Sequence, residues 1–321
     1  MRNVLMFVLT LFGASLCFGA EVYPNKSVRV IVPFGPGGGT DLSARLISQQ
    51  LTEQLGKSFV VENRTGAGGT IANGIVAKSA PDGYTLMLMD TSTVIAPGLY
   101  KSLPFDIAKD FTPLTQIIGA PLVLVVPPSL NISMLKEFVA LAQANTGKFN
   151  YATGGTGTIN HLSAELFNRA ARVNIAHIPF KGGGEMVTGL LGGQVQMLIA
   201  TIPTVLAFVN SGKMRALAVT TADRKRSPSM PEVPSMSEAG VSGMIVYTWY
   251  GLVGPAGMPK EVVNKLHAEV VKAIAVPSVN ERFIAQGSEM VGSSPDEFSK
   301  HIRNELQRWA EVIKSAGIAP E

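Results

Sequence analysis

Residues 28–51 read VRVIVPFGPGGGTDLSARLISQQL. The β-branched run Val28-Arg29-Val30-Ile31-Val32 predicts a strand, and the stretch after Asp41 predicts a helix. Between them stand four glycines within five positions, Gly35 and 37–39. A glycine loop at the step from strand to helix points backbone N–H groups and a favourable dipole at an anion. Two specific versions of that motif fail here. The P-loop needs a Lys-Ser/Thr pair after its last glycine, where this chain has Thr40-Asp41. The dinucleotide fingerprint needs glycine or alanine where Thr40 stands. A generic anion site remains, or a tight turn in which glycine only supplies positive φ.

Outward from this loop the same grammar repeats. SFVVENR predicts a second strand, TGAGGTIANGIVAKSAP a glycine loop with a helix, and YTLMLMDTS a third strand ending in hydroxyls at 91–93. APLVLVVPPS reads as a strand buried on both faces. KFNYATGGTGTINHLSAELFNRAA is again strand, glycine loop and helix, with Thr158 or Asn160 as the cap. NIAHIPFKGGGEMVTGLLGG and VQMLIATIPTVLAFVNSG repeat it, KMRALAVTTADR and GMIVYTWYGLVGP add strands, and the C-terminal stretches from 259 are helical, the last closed by Gly317. Alternating βα units predict an α/β protein on largely parallel sheets. The expected division is 21–123 with 248–321 as one domain and 124–247 as the other. Two crossing segments, near 121–126 and 244–249, join them around a ligand cleft.

Bulk properties narrow the function. Residues 1–20 read as an export signal, with Arg2, an apolar run and Gly19-Ala20 before polar residues. Cys17 is the one cysteine, and Leu16 before it disfavours a lipoprotein reading. A mature chain without cysteine fits a bacterial periplasm. The 27 Lys and Arg against 23 Asp and Glu give +4, or +3 without Arg2. The longest basic run is Arg224-Lys225-Arg226 with no aromatic ladder, so nucleic acid is not the expected partner. No nucleophile elbow, metal-spaced histidines or paired loop acids occur, so catalysis, cofactor and metal are all expected to be absent.

Two loops, 35–41 and 153–161, place glycines and a threonine at helix starts, one per lobe. If both face the cleft, their amides suit a small carboxylate without burying a permanent cation. Candidate contacts are Gly37, Gly38, Gly39 and Thr40, with Thr153, Gly157 and Thr158 opposite. Asp41 reads as a first-turn capping acid or a contact to a ligand cation or hydroxyl. His161 reads as a helix-terminal histidine or a ligand donor. Thr91 and Ser92 sit where a third strand would reach the cleft. Lys181 reads as solvated, with anion contact as the alternative.

Ordered blocks along nearly the whole chain carry a family resemblance. They include YPNKSVRVIVPFGPGGGTDLSAR, VENRTGAGGTIA, APDGYTLML, LPFDIAKDFTPL, YATGGTGTINHLSAELF, IPFKGGGEMVTGLLGGQV, GKMRALAVTTADR and WYGLVGPAGMP. The sequence resembles the tripartite tricarboxylate transporter receptors, the Bug-type periplasmic solute-binding proteins. The resemblance implies a two-lobed type II periplasmic-binding-protein fold, with two open sheets flanked by helices and an interlobe cleft. It implies capture of a small organic carboxylate by a periplasmic monomer that serves integral membrane transporter subunits, or a sensing role as the alternative. It assigns ligand contact to the loop from Phe34 to Asp41, to the loop from Thr153 to His161, and to Thr91 and Ser92. Thr201 is a further candidate. Many relatives carry Phe-Asp-Asn where this chain has Ile199-Ala200-Thr201, so Ala200 favours a ligand without an ammonium group there. Thr65, where relatives often have proline, reads as a turn variation.

Overall fold

The computed structural model describes residues 23–222, 225–285 and 287–316. The expected export signal, Cys17, Arg224 and Gly317 lie outside them.

The first lobe opens with β1 (Val28–Val32), α1 (Gly39–Leu55), β2 (Phe59–Asn63), α2 (Thr70–Ala77), β3 (Thr85–Asp90) and α3 (Thr91–Leu99). A 16-residue strand, β4 (Phe111–Val126), then leads into α4 (Leu135–Ala144), β5 (Asn150–Thr153), α5 (Ile159–Ala170) and β6 (Ala176–Pro179). Next come α6 (Gly183–Leu191), β7 (Met197–Thr201), α7 (Ile202–Asn210) and β8 (Arg215–Val219). β9 (Tyr247–Pro255), α8 (Lys260–Ala275), α9 (Pro277–Ala285), β10 (Glu289–Met290) and α10 (Pro295–Ala316) complete the described chain.

β4 belongs to both sheets. Its residues 111–121 pair with β9 in the order β2-β1-β3-β9-β4, and its residues 122–126 pair with β7 and β8, with β5 and β6 beyond β7. The return crossing is equally sharp. The Val246 amide donates to Thr220 O in the second sheet, while Tyr247 opposes Pro121 in the first. The sheets are mixed rather than largely parallel. A strand that leaves a lobe and one that returns beside it must run antiparallel, as β4 and β9 do. The β1, β2 and β3 pairings, and those of β5 with β6 and β7, are parallel as βα units require.

Side-chain alternation explains the layers. Val28, Val30 and Val32 turn toward Ile47 and Leu51 of α1 and Leu266 of α8, whereas Ile31 joins Met87 and Met89 in a core on the opposite face. That second core continues through Leu122, Leu124 and Val126 to Phe138 and Tyr151 of the other lobe. Val123 and Val125 face α6 and α7 instead. All five residues 122–126 are fully buried, as a strand covered on both faces must be. α10 lies against α3, where buried Glu305 accepts hydrogen bonds from the indoles of Trp249 and Trp309.

Candidate functional site

The glycine loop after β1 does meet a loop of the other lobe, and the partner is the stretch before α6. The Gly35 amide donates to Lys181 O (2.9 Å), and the Gly184 amide donates to Pro36 O (3.1 Å). Such an approach leaves no room for side chains. A Cβ on Gly183 would fall on Gly38 Cα, and one on Gly182 on Gly35 N. A second contact lies nearby: the Tyr100 hydroxyl donates to Thr156 O (2.8 Å).

Behind these contacts is a small cavity of about 40 Å³. Five helix starts converge on it. α1 contributes Gly38, Gly39 and Thr40; α3 contributes Asp90; α5 contributes Ile159 and Asn160; α6 contributes Gly182 and Gly183; α7 contributes Thr201 and Thr204. The first amides of a helix have no partner within it. At α1, α3, α6 and α7 no side-chain cap takes them up; only α5 has one, from Thr158. Phe34 and Met186 add apolar wall, and the Tyr250 hydroxyl lies beneath Gly39. Among the described residues lining the cavity there is no Lys, Arg or His. Positive potential there comes from main-chain dipoles.

Among the described residues, Asp90 is the one lining residue with a charge-bearing side chain. It is the N-cap of α3 and stands opposite Tyr250 in the β3–β9 pairing. Burial pushes its carboxyl up to about 7, against the lowering influence of the Ser92 hydroxyl and the nearby amides of α3. Ser92 Oγ donates to Asp90 Oδ2 (3.1 Å), and Asp90 Oδ1 is buried without a hydrogen-bond partner. Burial, and then the charge of Asp90, also pushes the Tyr250 phenol above its ordinary range.

The expected contacts divide. Phe34, Gly38, Gly39, Thr40 and Thr201 line the cavity; Thr201 shares its hydroxyl with Thr204 (2.8 Å). Gly37, at φ 82°, instead donates its amide to Asp41 Oδ2. Asp41 also accepts from Asn63 and pairs with Arg45 (3.0 Å). Burial pushes the Asp41 carboxyl up, but the bonds from Arg45, Asn63 and the Gly37 amide outweigh it and hold it below its ordinary value. Asp41 thus braces the loop before α1 and does not line the cavity.

Thr91 accepts from the Trp249 amide and so ties α3 to β9. Ser92 accepts from the Ile159 amide (3.0 Å) and thereby joins α3 of one lobe to α5 of the other. Thr153 bonds His177 (2.6 Å), and Thr158 caps α5 through the His161 amide. Gly157 packs under Tyr100 and donates to His161 Nδ1. His161 stacks on His177 at 4.4 Å, and burial lowers its affinity for a proton. Lys181 is exposed and borders a neighbouring space with Gly68 and Tyr100. Ala200 is fully buried in the core beneath α6 and α7, so it does not face the cavity.

Sequence reasoning missed Asp90, Asn160, Gly182, Gly183, Thr204 and Tyr250 as cavity residues. An acid closing the otherwise apolar strand TLMLMD was a legible signal; for Tyr250 there was none, because only the pairing of distant strands brings it in.

The family model described as the tripartite tricarboxylate transporter family receptor, TctC, matches residues 43–318. The chain belongs to this family. BugT of Bordetella pertussis is 38% identical over 95% of this chain and 94% of its own. The solved periplasmic binding protein BugD aligns with a TM-score of 0.90 at 34% identity, over 93% of this chain and 100% of that one. A structure from R. palustris with adipate gives 0.89 at 36%, over 93% and 100%. MatC from Rhodopseudomonas palustris with bound malate gives 0.86 at 33%, over 91% and 100%. This TctC receptor therefore has the two-lobed fold of periplasmic binding proteins, and its relatives bind solutes rather than catalyse reactions. Among the described residues no helix is long and apolar enough to cross a membrane.

Proposed function

We propose that this TctC receptor works in the periplasm, captures a small organic carboxylate in the interlobe cavity, and delivers it to the integral membrane subunits of a tripartite transporter. The observation that carries the reading is the convergence of five helix starts on a cavity with no lysine, arginine or histidine among the described residues of its wall. Amides at helix N-termini hold an anion with fixed dipoles, and the cavity buries no cation when the ligand leaves. Adipate and malate in two solved relatives support a carboxylate. Gly38, Gly39, Thr40, Gly183 and Thr201 supply the contacts in this reading, with Phe34 as the apolar wall. The remaining expected residues, Gly37, Asp41, Thr91, Ser92, Thr153, Gly157, Thr158 and His161, hold the loops in place.

The lobes, residues up to 121 with those from 247 onward and residues 122–246, rock about the crossings at 121–122 and 246–247. The receptor acts as a monomer. Thermal-shift screening of organic acids tests the ligand class. A ligand at a hundred times its Kd raises stability by about 2.7 kcal/mol. Silence across mono- and dicarboxylates, with a response to sugars or cations, would overturn it.

A further inference from the structure

We propose that the receptor takes up a proton together with its carboxylate, and that this proton settles on Asp90 as the lobes close over the ligand. The inference rests on the carboxylate reading and adds the protonation state in which that anion is held.

The geometry sets one negative charge beside another. Asp90 is 3% exposed, lines the cavity, and is the one charge-bearing side chain among the described residues of its wall. In a cavity of about 40 Å³ a bound carboxylate has no room to stand away from it. Two buried anions at such range need a cation or a shared proton. Among the described residues the wall offers no cation. The Ser92 hydroxyl and the amides of α3 already serve Asp90, while the free amides of α1, α6 and α7 are left for the ligand. A proton is the remaining counter-charge.

The titratable groups on the surrounding elements do not compete for it. Tyr250 of β9 is already protonated, and burial followed by the charge of Asp90 keeps it so. Asp41 of α1 is tied to Arg45, Asn63 and the Gly37 amide and stays ionised. Arg29 of β1 pairs with Glu62 of β2. His161 of α5 accepts the Gly157 amide on Nδ1 and stacks on His177, and burial lowers its affinity for a proton. Glu185 of α6 is exposed and accepts the Lys181 amide. On α10, Glu305 takes both indoles and His301 lies edge-on against Trp249, where burial disfavours its protonation. Helices α2, α3 and α7 carry no charged side chain.

The sign of the pH effect follows. Without ligand the Asp90 carboxyl is raised to about 7, chiefly by burial, so near neutrality it holds its proton only part of the time. A neighbouring anion raises it further, and the loaded receptor keeps the proton at pH values where the empty one has released it. Affinity should therefore weaken as pH rises above about 7, and by reciprocity each binding event should draw in protons.

The test is isothermal titration of the purified receptor with succinate, malate, adipate and propionate, all ionised above pH 7. Triethanolamine and Tris buffers add no competing carboxylate and differ in their heats of ionisation. At pH 7.5 the binding heat should follow the buffer, with about half a proton to one proton taken up per ligand. Affinity should fall roughly threefold to tenfold per pH unit between pH 7 and 8.5. Asp90→Asn should abolish both effects, whereas His161→Gln should keep them. Equal heats in both buffers, with constant wild-type affinity from pH 7 to 8.5, would sink the inference, leave the carboxylate reading standing and need no variant. Uptake that survives Asp90→Asn, or vanishes in His161→Gln, would place the proton elsewhere and sink it too. No binding by any of the four acids would remove the carboxylate reading and this inference with it.

Discussion

Asp90 and Tyr250 stand directly opposite one another in the antiparallel pairing of β3 with β9, and both line the interlobe cavity. Among the described residues no histidine, lysine or arginine shares that wall, so no cation offsets the desolvation of the acid, and the Ser92 hydroxyl and the α3 amides offset only part of it. Its carboxyl is raised from 3.8 to about 7 in the fold. Between those values the folded chain keeps a proton that the unfolded chain has released. Unliganded stability should therefore fall as pH rises from about 4 to about 7, then level off. Asp41, held below 3.8, works in the opposite sense: its contribution is present above that value and is lost as pH drops through the folded one. Urea unfolding at intervals from pH 4 to 8 should show the decline in the wild type and a flatter profile in Asp90→Asn. An unchanged slope in the variant would refute the assignment.

Gly183→Ala separates lobe contact from lobe folding. Alanine is the better helix former at the start of α6, so the helix itself should not suffer. Its methyl would strike the Gly38 backbone in the other lobe. A strain of about 1–3 kcal/mol on closure corresponds to roughly a fivefold to hundredfold loss of ligand affinity. Titration calorimetry should show that loss with the unliganded melting temperature nearly unchanged.

Gly39→Ala and Asp41→Asn should fail in different ways. A methyl on Gly39 would meet the Thr201 and Tyr250 hydroxyls at the cavity floor, so binding should suffer most. Asp41→Asn breaks the pair with Arg45 and weakens the hold on Gly37 and Asn63, so stability should fall by about 1–3 kcal/mol. Its ligand affinity should change less than that of Gly39→Ala. Side-by-side denaturation and titration of the two variants check the contrast.

Glu305→Ala strands the indole N–H groups of Trp249 and Trp309 in the interior. A loss of about 2–4 kcal/mol is expected in urea unfolding, with a smaller effect on affinity because Glu305, Trp249 and Trp309 do not line the cavity.

Much of this was legible in the chain. The step from Val32 through Gly39 to α1 follows from period-two and helical patterning with glycines between them, and residues 122–126 read as doubly covered because all five are apolar. The loop of residues 153–161 was legible as a helix start, yet Thr158 spends its hydroxyl on capping and Thr153 on His177. FKGGGE was legible as a glycine loop, but its role was not. Gly182 and Gly183 matter through what they touch in another lobe, and only three-dimensional closure supplies that information. Tyr250 and Asp90 were hidden for the same reason, since register across distant strands sets their meeting. Ala200 shows the reverse error: a difference from relatives invited a functional reading, and the residue lies in a core.

The clasp between the lobes is built from main-chain atoms of 35–38 and 181–184, and this separates two things that natural selection can act on. Diet is written in the wall side chains, while the gesture of closing is written in peptide groups that any sequence of glycines repeats. Duplicated copies of such a gene can drift toward new nutrients one wall residue at a time without relearning how to shut.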